Sequence, residues 1–240
     1  MADKVIEQIQ QFVVCDGQLR DALDGPCSSR ANGKVNKQAN EKVSPRAIEK
    51  VRQIASPNYN LRPTGASKAI ATHAAINLLV IHNISLPPGQ FGNGYVEQFF
   101  QNKLVTKTHP FFKRIAALKV SAHLFICRAG QVTHFVNFNH RAWHAGVSSY
   151  FGRDNCNDFS IGIELEGTDE LPFTEAQYAA LVSVSLALEI TYPEITPDTT
   201  LGHSDIAPGR KTDPGPCFDW HFYKMAWSDS RLNNSVVKKV

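Results

Sequence analysis

The segment FSIGIELEG, residues 159–167, alternates Ile161, Ile163 and Leu165 against Gly162, Glu164 and Glu166. A period of two puts the three aliphatic side chains on one face of a strand and both glutamates on the other. That strand needs a core on one side and carries carboxylates on the other, and the flanking patterns indicate what encloses it. LLVI at 78–81 is a short continuous apolar run, consistent with a strand buried on both faces, and His82 stands at its end. SAHLFICRAGQVTHFV, residues 121–136, reads as two strands around Ala129-Gly130, a hairpin signal. Thr174 followed by Gln177 is a capping box. It opens a helix to about Thr191, with Leu181, Val184 and Leu188 in one stripe, before Pro193 stops it. Strands mixed with helices predict α/β architecture.

At 240 residues the chain is near the size at which a single core stops growing, so one main domain with an appendage is expected. The compact body begins near SPNYNLRP at residue 56 and is expected to run to about 225, with a C-terminal tail over 226–240. Residues 1–55 read as an N-terminal extension. Val5, Ile9 and Phe12 or Val13 fall near helical spacing, which predicts a short amphipathic helix over 3–14. Ser28 to Arg52 is polar and basic with almost no large apolar residue, so it reads as a flexible linker or loose helix.

A net charge of +3, with scattered basic residues and no basic stripe interleaved with aromatics, argues against a nucleic-acid partner. Five cysteines, odd in number and without a CxxC spacing, argue against both a disulfide framework and a thiolate zinc knuckle. They read as reduced thiols. The N-terminal residues lack the apolar core of a signal peptide, and no run approaches the length of a membrane span. A cytoplasmic, monomeric protein without a membrane partner is the expectation.

The loop LGHSDIAPGRKTDPGP, residues 201–216, sets a histidine, an arginine, a lysine and two aspartates among prolines and glycines. With His82 at its strand end, His203 and Asp213 from this loop make a candidate ligand set. Two imidazoles and a carboxylate suit tetrahedral Zn²⁺ with the fourth position open. The chain has nine histidines, so spacing alone does not single out this set.

Several blocks taken together, VIHNISLPPGQFG, HPFF, SAHLFICRAGQV, RAWHAGVSSYFGR, CNDFSIGIELEGTDEL, GHSDIAPGRKTDPGP and FDW, do so. In order and spacing they resemble the AmpD-type cytoplasmic N-acetylmuramoyl-L-alanine amidases, zinc enzymes related to phage T7-lysozyme-like amidases and peptidoglycan recognition proteins. The resemblance runs from about Ser56 to Trp220. It implies a central mixed β-sheet flanked by helices, with zinc at the sheet's edge in a substrate groove. By position it places the metal ligands on His82, His203 and Asp213, the acidic catalytic residue on Glu164 and the catalytic lysine on Lys211. Glu166, on the same strand face, is the alternative acid.

The implied substrate is an N-acetylmuramoyl-peptide, including its 1,6-anhydro form, cut between the lactyl group and the L-alanine of the stem. Contacts to it are expected from Asn83, Lys119, Trp143, His144, Arg153 and Asn155. His123 and His144 are expected to line the core or cleft without binding metal, either supporting a ligand from behind or touching substrate. Lys119 and Asn155 stand where the anhydro-muropeptide branch carries arginines. Lysine keeps the charge without the planar fork, asparagine keeps only a hydrogen bond, and Arg153 lies close enough in sequence to compensate. Two other readings share the fold or substrate: a recognition-type binding module, which loss of a ligand would signal, and a wall-degrading autolysin, which would call for a signal peptide or wall-binding appendage.

Overall fold

A computed structural model describes residues 12–22, 51–63 and 76–237. The strands are β1 (Phe12–Cys15), β2 (Gln18–Asp21), β3 (Arg52–Gln53), β4 (Tyr59–Leu61), β5 (Leu78–Ile84), β6 (Leu124–Ile126), β7 (Val132–His134), β8 (His140–Ala142), β9 (Ser149–Tyr150), β10 (Arg153–Asp154), β11 (Ser160–Glu166) and β12 (Thr200–Gly202). The α-helices are α1 (Tyr95–Phe100), α2 (Pro110–Ile115), α3 (Glu175–Thr191), the single turn α4 (His203–Ile206) and α5 (Trp220–Val237).

Six strands form one mixed sheet in the order β12-β5-β11-β6-β7-β3. The β12, β5, β11 and β6 strands run parallel, and β7 pairs antiparallel with β6 through the hairpin that Gly130 turns at φ +84°. The α/β fold with a central mixed sheet and flanking helices is therefore as expected. In β11 the predicted alternation holds. Ile161, Ile163 and Leu165 join Leu79, Ile81, Leu124 and Ile126 in a core closed by Leu181, Val184 and Leu188 of α3 and Tyr223 and Trp227 of α5.

The capping box on α3 is present: Thr174 Oγ1 accepts from Gln177 N while Gln177 Oε1 accepts from Thr174 N. On the other face of the sheet, Phe125 packs with Phe99, Phe100 and Phe112 from α1 and α2, and Leu78 and Val80 pack with Ala145, Cys156 and Ile206. This second face carries His82 of β5 and Ser160, Glu164 and Glu166 of β11.

The ends of the chain differ from expectation. Residues 12–14 are strand rather than helix, because Asp16 and Gly17 turn the chain at φ 50° and 74° into the β1–β2 hairpin. Both positive φ values belong to the two-residue turn that Asp-Gly favours. Phe12 and Leu19 of the hairpin are buried in the main core, and β3 extends the sheet at its edge. The remainder of the expected 3–14 helix, and nearly all of the linker expected over 28–52, lie outside the described residues. At the other end α5 runs through residue 226 without a break, and Trp227 is fully buried with its Nε1–H donated to Glu189 Oε2 of α3 at 2.9 Å. The helix therefore belongs to the domain well beyond residue 225.

Candidate active site

Register brings the first two groups together. Glu164 of β11 is paired with His82 of β5, and on parallel neighbours a paired position shares a face. His203 follows directly on β12, the next strand outward, as the first residue of α4. These positions lie past the midpoints of parallel strands, toward the C-terminal ends at which open α/β sheets place their ligands. Asp213 returns on the loop after α4, held by the Ser204 N–H donating to Asp213 O at 3.0 Å. Gly202 is needed beneath this turn, since a Cβ there would lie 2.8 Å from Pro214 Cδ.

His82 Nδ1 and His203 Nδ1 lie 2.9 Å apart, and each lies 3.0 Å from Asp213 Oδ2. Three potential ligand atoms from two buried imidazoles and one carboxylate thus converge within 4.8 Å of one another. Ligand atoms about 2.0–2.2 Å from a tetrahedral ion stand about 3.3 Å apart, so the cluster is close to the size a zinc ion requires. Burial pushes the His82 ring down to about 4, against the hydrogen bond with Asp213, and so keeps it in the neutral form that binds metal. For Asp213 burial alone would raise the carboxyl, but the His203 and His82 rings 3.0 Å from its Oδ2 outweigh burial and hold the group below the usual carboxylate range.

The far side of each imidazole is also fixed. His82 Nε2 meets His144 Nδ1 at 2.9 Å, and His203 Nε2 meets the Ala145 carbonyl at 2.9 Å. Asn157 Oδ1 secures the loop carrying both partners by accepting from His144 N and Ala145 N. Arg210 braces the same loop, donating to Ala145 O and Val147 O, each at 2.6 Å.

Glu164 faces this cluster with one carboxylate oxygen, Oε2, buried and without a hydrogen-bond partner among the described residues. Burial raises its pKa well above the usual carboxylate value, the Asp213 charge adds to the rise, and the Lys211 ammonium opposes it. Lys211 is exposed on the loop before Asp213 and exerts its field on both Glu164 and His82. Glu166, the alternative acid, has both oxygens occupied: Oε1 accepts from Gly92 N at 2.5 Å and Oε2 from Arg128 N at 3.0 Å.

The expected substrate contacts divide. Lys119, Arg153 and Asn155 are exposed, with Arg153 lying over the Phe159 ring at 3.8 Å. Trp143 is half-buried, its Nε1–H donated to Asn60 Oδ1 at 2.7 Å. Asn83 donates both amide protons within the protein, to Asp169 Oδ1 and Pro214 O, which leaves its Oδ1 for a ligand. Of the two roles expected for His144, its contacts favour support of a ligand over contact with substrate. It is buried, and its two ring nitrogens face His82 and Ser160 Oγ. His123 is fully buried as well, accepting at Nδ1 from Gly162 N.

Two residues that shape the site have no role assigned to them from the sequence. Arg62 donates to the carbonyls of Phe138, Asn157, Asp158 and Ser160, pinning the segment that leads into β11. Gly162 clears space for His144, whose ring would lie 2.4 Å from any Cβ at that position. A glycine inside a strand is itself a signal of such close approach.

Two buried histidines and a half-buried aspartate, close enough together to hold a metal ion, thus stand beside a glutamate oxygen that has no partner among the described residues. Residues 72–216 match the N-acetylmuramoyl-L-alanine amidase family, and the chain belongs to that family. It is 55% identical over 172 residues to 1,6-anhydro-N-acetylmuramyl-L-alanine amidase AmpD of Haemophilus influenzae, covering 72% of this chain and 89% of that one. Identity to the Escherichia coli protein of the same name is 52% over 174 residues, covering 72% and 90%. A crystal structure of a selenomethionine AmpD derivative superposes with a TM-score of 0.68 at 50% identity, covering 73% of this chain and 93% of that one.

Proposed function

We propose that this chain is a zinc-dependent N-acetylmuramoyl-L-alanine amidase. It hydrolyses the amide between the lactyl group of 1,6-anhydro-N-acetylmuramic acid and the L-alanine of the stem peptide, as a cytoplasmic monomer in peptidoglycan recycling. The observation that carries this reading is the convergence of His82 Nδ1, His203 Nδ1 and Asp213 Oδ2 beside the unpartnered Oε2 of Glu164. Similarity to the AmpD proteins named above supports the choice of substrate.

His82, His203 and Asp213 would hold the ion, which supplies a Lewis acid and makes water nucleophilic near neutral pH. Glu164 takes the proton of the attacking water and returns it to the leaving amine. A carboxyl raised by burial is suited to both halves of that transfer, being basic enough to accept and acidic enough to give back. Lys211 stabilises the negative charge that develops on the carbonyl oxygen. Trp143 offers an apolar face to sugar, while Lys119, Arg153, Asn155 and the Oδ1 of Asn83 face the acidic and amide groups of the stem.

The experiment is hydrolysis of purified anhydro-muropeptides, with intact sacculi alongside, before and after chelation and zinc return. Chelator-sensitive cleavage of the soluble substrate is expected. Binding without cleavage in zinc-loaded protein would instead identify a recognition module, and preferential attack on sacculi would identify a wall-degrading enzyme.

A further inference from the structure

A carbonyl oxygen accepts hydrogen bonds and never donates them, and this orders a chain of contacts leading from β11 to His82. Ser160 Oγ lies 2.6 Å from Cys156 O, so the hydroxyl proton points at that carbonyl. The same Oγ lies 3.2 Å from His144 Nε2, and with its one proton committed it can only accept there. Neutral His144 therefore carries its ring proton on Nε2 and turns a lone pair outward at Nδ1. That lone pair faces His82 Nε2 at 2.9 Å, so His82 must be the donor. The lone pair of His82 is then on Nδ1, the atom that meets His203 Nδ1 and Asp213 Oδ2.

We propose that Ser160 and His144 are positioning residues which fix His82 in its Nε2–H form and so direct its Nδ1 lone pair into the cluster with His203 and Asp213. The inference rests on reading that cluster as a metal site. His203 is set by the same rule in a single step, because the Ala145 carbonyl at 2.9 Å can only accept from its Nε2. Adjacent residues on one loop thus orient both imidazoles, Ala145 through its backbone and His144 through its side chain.

The fold leaves His144 little freedom to do otherwise. Its backbone N–H is held by Asn157 Oδ1 at 3.1 Å, and its ring occupies the space that the missing Cβ of Gly162 leaves open. Ser160 is fully buried on the strand that carries Glu164, so the support of a ligand and the catalytic carboxylate share one element. Partners of metal-binding histidines of this kind typically change metal affinity by about 10- to 100-fold.

The test uses the full-length protein labelled with ¹⁵N. Histidine ring spectra that detect coupling across an N–H···N hydrogen bond report which nitrogen of the His82–His144 pair holds the proton, with or without metal. The expected result is a proton on His82 Nε2 coupled to His144 Nδ1, and a proton on His144 Nδ1 would overturn the proposal. Zinc affinity is then measured by competition with a chromophoric chelator. His144→Leu, which lacks an acceptor, should bind about 10- to 100-fold more weakly. His144→Asn, whose Oδ1 stands close to the former Nδ1, should recover most of that loss, whereas equal losses in the two variants would overturn the relay. If wild-type protein takes up no zinc, the metal reading fails, and the proton position still decides the direction of the relay.

Discussion

The middle of β11 and its C-terminal end present the same residue type on the same face, and the protein surrounds the two in opposite ways. At the end, Glu166 is saturated, with Gly92 N–H on one oxygen and Arg128 N–H on the other. In the middle, Glu164 buries an oxygen that has no partner among the described residues, beside a second carboxylate at Asp213. Burying a carboxylate without partners is costly. The saturated glutamate joins the loop before α1 to the end of β6 and contributes stability. The open one has a pKa raised by burial and by Asp213, the kind of displacement that clusters at functional sites.

The sharpest way to break this comparison is Glu164→Gln. Shape and hydrogen-bonding capacity are kept while the ability to accept a proton is lost, so kcat should fall by about 10²- to 10⁴-fold. Zinc content should stay at the wild-type level, because Glu164 is not among the three convergent ligand groups. A kcat within a few-fold of wild type, or loss of zinc, would remove Glu164 from the role of base.

Much of this contrast can be read from the chain, but not all of it. The period of two in β11 places both glutamates on one face, and the capping box marks where α3 begins, because both patterns are local. The ligand set needed the resemblance across many blocks, since His82 and His203 are separated by 121 positions and the chain has nine histidines. What distinguishes Glu164 from Glu166 was out of reach. It depends on Gly92 and Arg128, which arrive from distant loops with backbone N–H groups that any residue type would supply. The β1–β2 hairpin was legible in principle from Asp16-Gly17, but the apolar residues before it fit helical spacing equally well. His144 drew attention as a cleft histidine, yet its inward orientation follows from Gly162 and Ser160, neither of which has chemistry visible in sequence.

A second test uses another saturated group, on the strand next to the far edge of the sheet. His134 on β7 accepts from Leu19 N at 2.9 Å and donates from Nε2 to Val136 O at 2.7 Å, so it ties the N-terminal hairpin to the sheet. Burial pushes its pKa down to about 4 from an unperturbed 6.5. The folded form then binds this proton less readily than the unfolded chain. Its contribution is complete above about pH 6.5 and is lost as pH falls toward 4, amounting to about 3 kcal/mol at 1.36 kcal/mol per pKa unit. The slope of unfolding free energy against pH, compared between wild type and His134→Gln, should differ by up to one proton across that window. Exchange protection of the Leu19 amide should fade over the same range. A His134 ring titrating near 6.5 would contradict the assignment.

The smallest expected effect falls on Glu166→Gln, which sharpens the comparison most directly because it repeats the Glu164 substitution two residues along. Glutamine offers one acceptor oxygen where two backbone N–H groups are waiting, and its amide nitrogen must face one of those donors. One part-buried N–H is therefore left without a partner, at about 1 kcal/mol. Denaturant unfolding should show that loss, with the transition midpoint lowered and its slope unchanged. Activity below the transition should remain within about twofold of wild type, since Glu166 directs both oxygens away from the cluster and into backbone hydrogen bonds. A kcat loss here as large as that at Glu164, with stability unchanged, would reverse the two roles: Glu166 would be the proton carrier, and the unpartnered oxygen of Glu164 would need another explanation.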